Sequence, residues 1–469
     1  MPRMSSELRG EILAVLSPGF GGTRVPAWLR RLLGDGLGAV TLFGSNVPDL
    51  ETAARVVEEI RAINPDCVIS IDEEAGDVTR IFAHSGSPLP SPALLGRVGN
   101  PLLTLDVYQE LGRHLASLDI DLTFAPVADL ATGDRSPIVG VRAFGSDPKL
   151  VSEHVSAAIR GLHWAGTGAC VKHFPGHGRC SVDSHRELPV LRATREQLML
   201  EDMRPFRAAI AYGVDAVMIG HLIAYDFDAL PASQSAVIMR DLLRHELGFE
   251  GAIITDALDM GALGGVPNIG VSARRAVVNG ADLLCLSGLK QQGPFVDACL
   301  REIGEAVHTG ELDRADLRQA GRRTAALRRS KPPALLDGRI DANALRPGLV
   351  VRGEVQLPDQ QVSLVTREAD PTIAAGTIAW GLRPALEAAG VRVLRPDLTS
   401  ASLVVQFRDA WRNEDVLAEL RDIAQRRPDA VFVDMGWPTI EFQPPRIIRT
   451  FGGTLPNAEA AVAELLPTS

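Results

Sequence analysis

Ionisable residues gather at a few places in this chain of 469 residues, and their types suit proton transfer and nucleophilic attack. Four apolar, β-branched runs end in them. Residues 68–71 lead into Asp72-Glu73-Glu74, and residues 169–172 run on through Lys172-His173-Phe174-Pro175-Gly176-His177-Gly178. Residues 216–219 precede His221, and residues 252–255 precede Asp256. A carboxylate held rigidly at a strand end can attack an electrophilic carbon such as an anomeric centre. The loop Cys180-Ser181-Val182-Asp183-Ser184-His185 adds an Asp-x-His pair. An Asp two residues from a His can accept its Nδ1–H and leave Nε2 to move protons.

Each of these residues has a plainer use. Asp commonly caps the helix that follows a strand, and Asp259, three residues past Asp256, suits that use better. Asp-Ser is turn-prone, so Asp183-Ser184-His185 alone reads as a surface turn. Lys172 and His173 are adjacent, and on a regular strand their side chains point to opposite sides. For both to reach one ligand the backbone must bend, and Phe174-Pro175-Gly176 is the expected place. His173, His177, Asp183 and His185 are zinc-capable types, but their spacing matches no zinc signature. Neither a metal nor a cofactor is expected. The case for a site rests on four strand ends together, since packing alone does not explain so many ionisable groups on one rim.

The elements that must position these residues follow from periodicity. Short apolar runs recur at 12–16, 39–43, 68–71, 121–125, 169–172, 216–219, 252–255 and 282–286. Helical spacing lies between several of them, as in Val107, Leu111, Leu115, Leu118 and in Val151, Val155, Ile159, Leu162. Buried strands alternating with amphipathic helices predict a parallel α/β fold, and eight such units predict a (β/α)8, TIM-like barrel. A doubly wound open sheet is the alternative, but no Gly-x-Gly-x-x-Gly follows the first run. The barrel is expected over residues 1–330, with its last helix near 312–329. Residues 331–350, opening with Lys331-Pro332-Pro333, read as a linker. A smaller C-terminal α/β domain is expected over 351–469. Its strands are expected near 362–366, 391–394, 403–407, 430–433 and 447–451, and its helices near 377–388, 415–425 and 457–466. It has no His/Asp/Glu cluster of its own, and a packing or site-shaping role is expected for it.

Composition narrows the function class. The net charge of −10 disfavours a phosphate-backbone partner, and nucleic acid is not expected. Cys67, Cys170, Cys180, Cys285 and Cys299 are odd in number and contain no Cys-x-x-Cys pair, which suits a reducing compartment. The apolar run at 214–224 is broken by Asp215 and His221 and is too short to span a bilayer, so no membrane role is expected. The N-terminal stretch carries a Glu within its short apolar run and does not read as a secretory signal. A cytoplasmic, monomeric enzyme acting on a small molecule is the expectation.

At these residues the sequence resembles the family-three glycoside hydrolases, and within them the NagZ-type β-N-acetylglucosaminidases. The resemblance covers about residues 10–330. It rests on DEEAGDVTR at 72–80, Arg142 in VRAF, KHFPGHG at 172–178, DSH at 183–185 and ITDALDM at 254–260. It implies double displacement with retention, with Asp256 as nucleophile and His185 as acid/base oriented by Asp183. It implies that Asp72, Arg80, Arg142, Lys172 and His173 hold the terminal sugar, with His221 beside them. In the β-glucosidase branch a Glu from outside the first domain is the acid/base, so DSH favours an amino-sugar glycoside over a glucoside. The implied substrates are muropeptide fragments of peptidoglycan recycling or short chitin oligosaccharides, cleaved at a terminal non-reducing β-linked N-acetylglucosamine. The sequence departs from the family at its usual Glu-Gly-Gly-Arg, which reads Glu74-Ala75-Gly76-Asp77. The small-residue exchange is expected to be harmless, and the loss of an Arg is expected to alter the rim.

The same residues fit other functions. A neutral His base does not repel an incoming phosphate as a carboxylate would, so a β-N-acetylglucosaminide phosphorylase fits the dyad, and a β-glucosidase shares the family. A non-catalytic sugar-binding protein is the alternative from another class.

Overall fold

The structure is a computed structural model that describes residues 4–132, 139–180, 184, 187–287, 293–329, 338, 340–358 and 360–467. Among the described residues, the first part of the chain folds into eight strands: β1 (Leu16–Pro18), β2 (Ala39–Leu42), β3 (Val68–Ile71), β4 (Leu122–Thr123), β5 (Gly168–Phe174), β6 (Ala216–Ile219), β7 (Ala252–Thr255) and β8 (Leu284–Ser287). β2 to β7 form one parallel sheet in sequence order, and β1 pairs with β8 in parallel. The two sheets meet through a parallel bridge between Ile254 and Leu283, and through the hydroxyls of Ser17 and Thr41, 2.8 Å apart. The result is the (β/α)8, TIM-like barrel, with helices such as Pro101–Ser117 and Pro148–Trp164 packed outside.

Strand periodicity sorts the side chains into two cores. Val68, Cys170, Met218 and Ile254 belong to a cluster inside the barrel, whereas Ile69, Val171, Val217 and Ile253 pack outward against the helices. Both faces are therefore apolar, as a parallel sheet covered on both sides requires. The inward phase continues from Val68 through Ser70 to Asp72, from Cys170 to Lys172, and from Ile254 to Asp256. Period two thus delivers three ionisable side chains to the C-terminal mouth of the barrel.

Two expected elements differ. The apolar run at 12–16 divides between the end of a helix, Ser6–Leu13, and the start of β1. Ser5 caps that helix by accepting from the N–H of Leu8 at 3.2 Å, so Ile12 and Leu13 complete its buried face. The helix expected at 377–388 is only Arg383–Ala388, because Gly381 has φ +112 and Pro384 suits a helix start. Within 331–350, the described segment Ala342–Gly348 is a tight helical turn with Leu345 buried, and its Gly348 carbonyl accepts from Arg97 Nε at 2.8 Å.

The smaller C-terminal α/β domain has a six-stranded sheet: β9 (Val350–Arg352), β10 (Gln361–Glu368), β11 (Arg392–Leu394), β12 (Leu403–Arg408), β13 (Val431–Asp434) and β14 (Ile447–Arg449). Their order is β11-β10-β12-β13-β14-β9, parallel except for β9. The unforeseen β9 is an edge strand with only partly covered side chains, so it lacks the apolar run that marks the others.

Candidate active site

A cavity of about 580 Å³ opens at the C-terminal mouth of the barrel. Asp72, Arg80, Arg142, Lys172, His173, His177, Ser184 and Asp256 line it, together with residues 372–377 of the C-terminal domain. Asp72, Lys172 and Asp256 arrive there on the inward strand phase. His173 arrives because the β5–β6 ladder loses register between Val171 and Phe174. The irregularity falls at Lys172-His173, earlier than the expected bend at Phe174-Pro175-Gly176. The Lys172–His173 and Phe174–Pro175 peptides are both cis.

The floor of the cavity is an ionic lattice. Lys172 Nζ lies 2.5 Å from Asp72 Oδ1 and 2.6 Å from Glu74 Oε1. Arg80 Nη2 donates to Asp72 Oδ2 at 2.9 Å. Arg142 grips Glu74 through two bonds, Nε to Oε2 at 2.8 Å and Nη2 to Oε1 at 2.7 Å. Burial works against ionisation of Asp72, but Lys172 and Arg80 overcome it and hold the carboxyl well below its usual range. Burial opposes Glu74 in the same way, and Arg142 and Lys172 hold it low. Burial also disfavours the Lys172 ammonium, yet Asp72 and Glu74 raise its pKa. Asp72, Glu74 and Lys172 are therefore charged at neutral pH and fixed before any ligand arrives. Removing one member of such a buried set leaves its partner uncompensated, at about 3–5 kcal/mol.

A second network orients the imidazoles. Asp129 Oδ2 lies 2.6 Å from His173 Nδ1, and Oδ1 accepts from the backbone N–H of His177 at 2.6 Å. An ionised carboxylate only accepts, so the His173 proton sits on Nδ1. Burial opposes the charge on Asp129, and His173 and His177 lower its pKa. His177 is pushed down to about 4 by burial and by His173, so it is neutral at pH 7. Its Nε2 lies 3.2 Å from Ser184 Oγ. The Ser184 carbonyl accepts from Ala262 N–H at 3.2 Å, which ties this loop to the segment after Asp256. Asp256 Oδ1 accepts from Ala257 N–H at 2.7 Å. The helical turn that follows, Gly261–Leu263, starts from Met260 without a side-chain cap, and Asp259 lines the cavity.

Asp72, Arg80, Arg142, Lys172, His173 and Asp256, expected at the site, thus come together in one cavity. His221, expected beside them, does not line the cavity and lies one residue layer behind Asp256. It falls on the outward phase after Met218, and its Nδ1 and Nε2 lie 2.7 Å from Ser233 Oγ and 2.9 Å from the Ala257 carbonyl. It braces the backbone next to Asp256 instead. Asp183 and His185 lie outside the described residues. Sequence reasoning missed Asp129 and did not single out Glu74. Glu74 carried a readable signal, since it follows Asp72 by two residues, whereas Asp129 lies six residues beyond the end of β4 and is placed only by its contacts.

The departures in Glu74-Ala75-Gly76-Asp77 also have a structural account. Ala75 has φ +68, a left-handed conformation that disfavours a side chain by about 1 kcal/mol, so the exchange expected to be harmless carries a strain. Asp77 does not line the cavity and accepts from Gly453 N–H in the C-terminal domain at 2.9 Å.

Comparison with known proteins adds the following. The profile described as "Glycosyl hydrolase family 3 N terminal domain" matches residues 26–327. A beta-hexosaminidase of Nitrosospira multiformis is 36% identical over 257 residues, covering 53% of this chain and 73% of that protein. A beta-hexosaminidase of Thiobacillus denitrificans is 38% identical over 262 residues, covering 54% of this chain and 72% of that protein. Among solved structures, a glycoside hydrolase family 3 beta-N-acetylglucosaminidase from a Paenibacillus strain is similar with a TM-score of 0.88 at 26% identity, over 99% of this chain and 97% of that one. NagZ from Neisseria gonorrhoeae, solved with N-trifluoroacetyl-D-glucosamine, is similar with a TM-score of 0.56 at 27% identity, over 66% of this chain and 97% of that one.

Proposed function

Because the chain belongs to glycosyl hydrolase family 3, we propose that its cavity is the site of a retaining exo-β-N-acetylglucosaminidase with Asp256 as nucleophile. The chain is a glycoside hydrolase that releases N-acetylglucosamine. The observation that carries the finer reading is the preformed lattice of Asp72, Lys172, Glu74 and Arg142 in the same cavity as Asp256. Sugar hydroxyls both donate and accept. A set of fixed carboxylates and cations meets them with charge-assisted hydrogen bonds and needs no reorganisation on binding.

In the first step an Asp256 oxygen bonds to the anomeric carbon while the bond to the departing oxygen breaks. His185 gives that oxygen its proton. In the second step His185 takes a proton from water, the water oxygen bonds to the anomeric carbon, and Asp256 leaves. Asp183 holds the His185 tautomer. Asp72, Arg80, Lys172, His173 and Arg142 orient the ring, directly or, for Arg142, through Glu74. The tie from Ser184 to Ala262 supports this reading, because it holds the middle residue of the DSH loop against the segment that carries Asp256. The natural substrate in this reading is a muropeptide fragment or a chitin oligosaccharide, met in the cytoplasm by a monomeric enzyme. No helix among the described residues is long and apolar enough to cross a membrane.

A substrate panel tests the assignment. Aryl β-N-acetylglucosaminide, aryl β-glucoside, chitobiose and a muropeptide are compared with and without phosphate. Preference for the acetamido sugars and release of free N-acetylglucosamine in phosphate buffer are expected. Sugar 1-phosphate as the main product would assign phosphorolysis instead.

A further inference from the structure

The C-terminal domain reaches into the cavity. Its residues 372–377 line the cavity wall and form a compact turn, with Gly376 N–H donating to the Thr372 carbonyl at 2.9 Å and Ala375 N–H donating to Thr372 Oγ1 at 3.1 Å. Ile373 is 48% exposed at the cavity, an apolar side chain with space before it. Where this wall meets the sugar is given by a chain of contacts. Lys172 bonds Asp72, Asp72 bonds Arg80, and Arg80 Nη1 donates to the Ala375 carbonyl at 3.4 Å. The wall therefore adjoins the hydroxyl-holding groups. The Ser184 loop rests instead on the segment after Asp256, at Ala262.

The wall is docked by the barrel's own departure from the family pattern. Asp77 accepts from Gly453 N–H and lies 3.9 Å from Arg408 Nη1. Arg408 in turn bonds Glu368 through Nε at 2.7 Å and covers the Trp380 ring at 4.8 Å. Ala379 N–H donates to the Ala83 carbonyl at 2.7 Å, just beyond the wall. Gly76 must be glycine here, because it has φ +66 and a Cβ would stand 2.8 Å from Ser91 Cα.

We infer that residues 372–377 form the wall that closes the sugar pocket beyond the hydroxyl-bearing, non-reducing end of the terminal ring, and that Asp77 is the positioning residue that holds this wall in place. The C-terminal domain then sets exo action: a sugar chain cannot continue past Arg80 and Ala375. This rests on the proposed assignment of Asp72, Arg80 and Lys172 to the terminal sugar.

The full chain carries the test, through Ile373→Ala and Asp77→Asn. Free N-acetylglucosamine is titrated by calorimetry, and KM and kcat are read on an aryl N-acetylglucosaminide and on chitobiose. Ile373→Ala is expected to weaken sugar binding and raise KM by about 10-fold, equally on both substrates, with kcat little changed. Asp77→Asn is expected to move KM in the same direction, and Asp77→Glu to recover part of it, which a purely structural loss would not produce. Calorimetry reads the wall even if wild type turns over neither substrate, an outcome that would defeat the functional reading alone. Unchanged sugar affinity in Ile373→Ala would overturn the inference, and so would a KM effect confined to chitobiose, which would move the wall to the leaving-group side.

Discussion

At the N-terminal end of the barrel, Asp121 stands just before β4, Asp215 just before β6 and Asp282 two residues before β8. At the C-terminal end, Asp72 stands just after β3 and Asp256 just after β7. The first set is consumed by structure. Asp121 accepts from Ile69 N–H at 2.9 Å, Asp215 from Ala169 N–H at 2.8 Å and Asp282 from Ile253 N–H at 2.8 Å, so each staples an even strand to the odd strand before it. Arginines seal the same three: Arg61 and Arg328 on Asp121, Arg329 on Asp215, Arg244 and Arg323 on Asp282. The end even has a His–Asp pair, His163 Nε2 and Asp215 Oδ2 at 2.8 Å. Burial and Arg329 push that imidazole down to about 4, and it is not among the residues that line the cavity. The second set faces a cavity. Identical residue types at strand ends thus staple neighbouring strands before a strand and line the cavity after one.

Substitution at the two ends is the strongest way to break this contrast. Asp256→Ala should lower kcat/KM by about 10³-fold or more while leaving the unfolding midpoint nearly unchanged. Asp282→Ala should do the reverse, losing about 3–5 kcal/mol of stability with activity per folded molecule retained. Urea denaturation and active-site titration read both, and Asp282→Asn serves if the Ala variant does not fold. A stable, inactive Asp282 variant would erase the distinction between the ends.

Next in size is the dyad. His185→Ala should lose about 10²–10⁴-fold on chitobiose, whose departing sugar alcohol needs a proton. It should lose less on a dinitrophenyl substrate, whose departing oxygen does not. Azide should restore turnover and yield a β-glycosyl azide, because it needs no base. Equal losses on both substrates with no azide product would recast DSH as a binding loop.

The lattice comes third. Asp72→Ala or Lys172→Ala should each lower kcat/KM by about 10–1,000-fold, since one charge-assisted contact is removed and a partner is left uncompensated. Steady-state kinetics on one aryl substrate suffice, and unchanged constants would remove that residue from the site.

The smallest effect concerns pH. Glu73 accepts from Arg80 and Ile81 N–H at 2.7 and 3.1 Å, and burial pushes its carboxyl up to about 7. A raised folded pKa stabilises the protein below the unfolded value near 4.5, and this is lost as pH rises through about 7. Glu73→Gln, neutral throughout, should therefore gain on wild type by about 1–3 kcal/mol between pH 4.5 and 8. Parallel stability profiles of the two proteins would contradict this.

Much of the barrel was legible because its strands are short, apolar and evenly recurring, and strand phase alone places Asp72, Lys172 and Asp256 at the mouth. What escaped reading depended on contacts far apart in sequence. Asp129 joins the cavity network only by meeting His173 and the His177 backbone, and no local pattern announces that. The strand-end position of His221 was legible, but its phase was not read, and it bonds the Ala257 carbonyl rather than lining the cavity. Asp77 read as a lost Arg, and its partner Gly453 lies in the other domain. The run at 12–16 failed locally, since a capped helix and a strand divided one apolar segment.

The central claim is that Asp256 is the nucleophile of a retaining reaction, and covalent trapping tests it most directly. The protein is incubated with a fluorinated N-acetylglucosaminyl fluoride, digested and mapped by mass spectrometry. The account predicts one sugar adduct on Asp256, formed with loss of activity and absent from Asp256→Ala. An adduct on Glu74, Asp259 or another carboxylate would contradict it, as would a natural product released with inverted anomeric configuration.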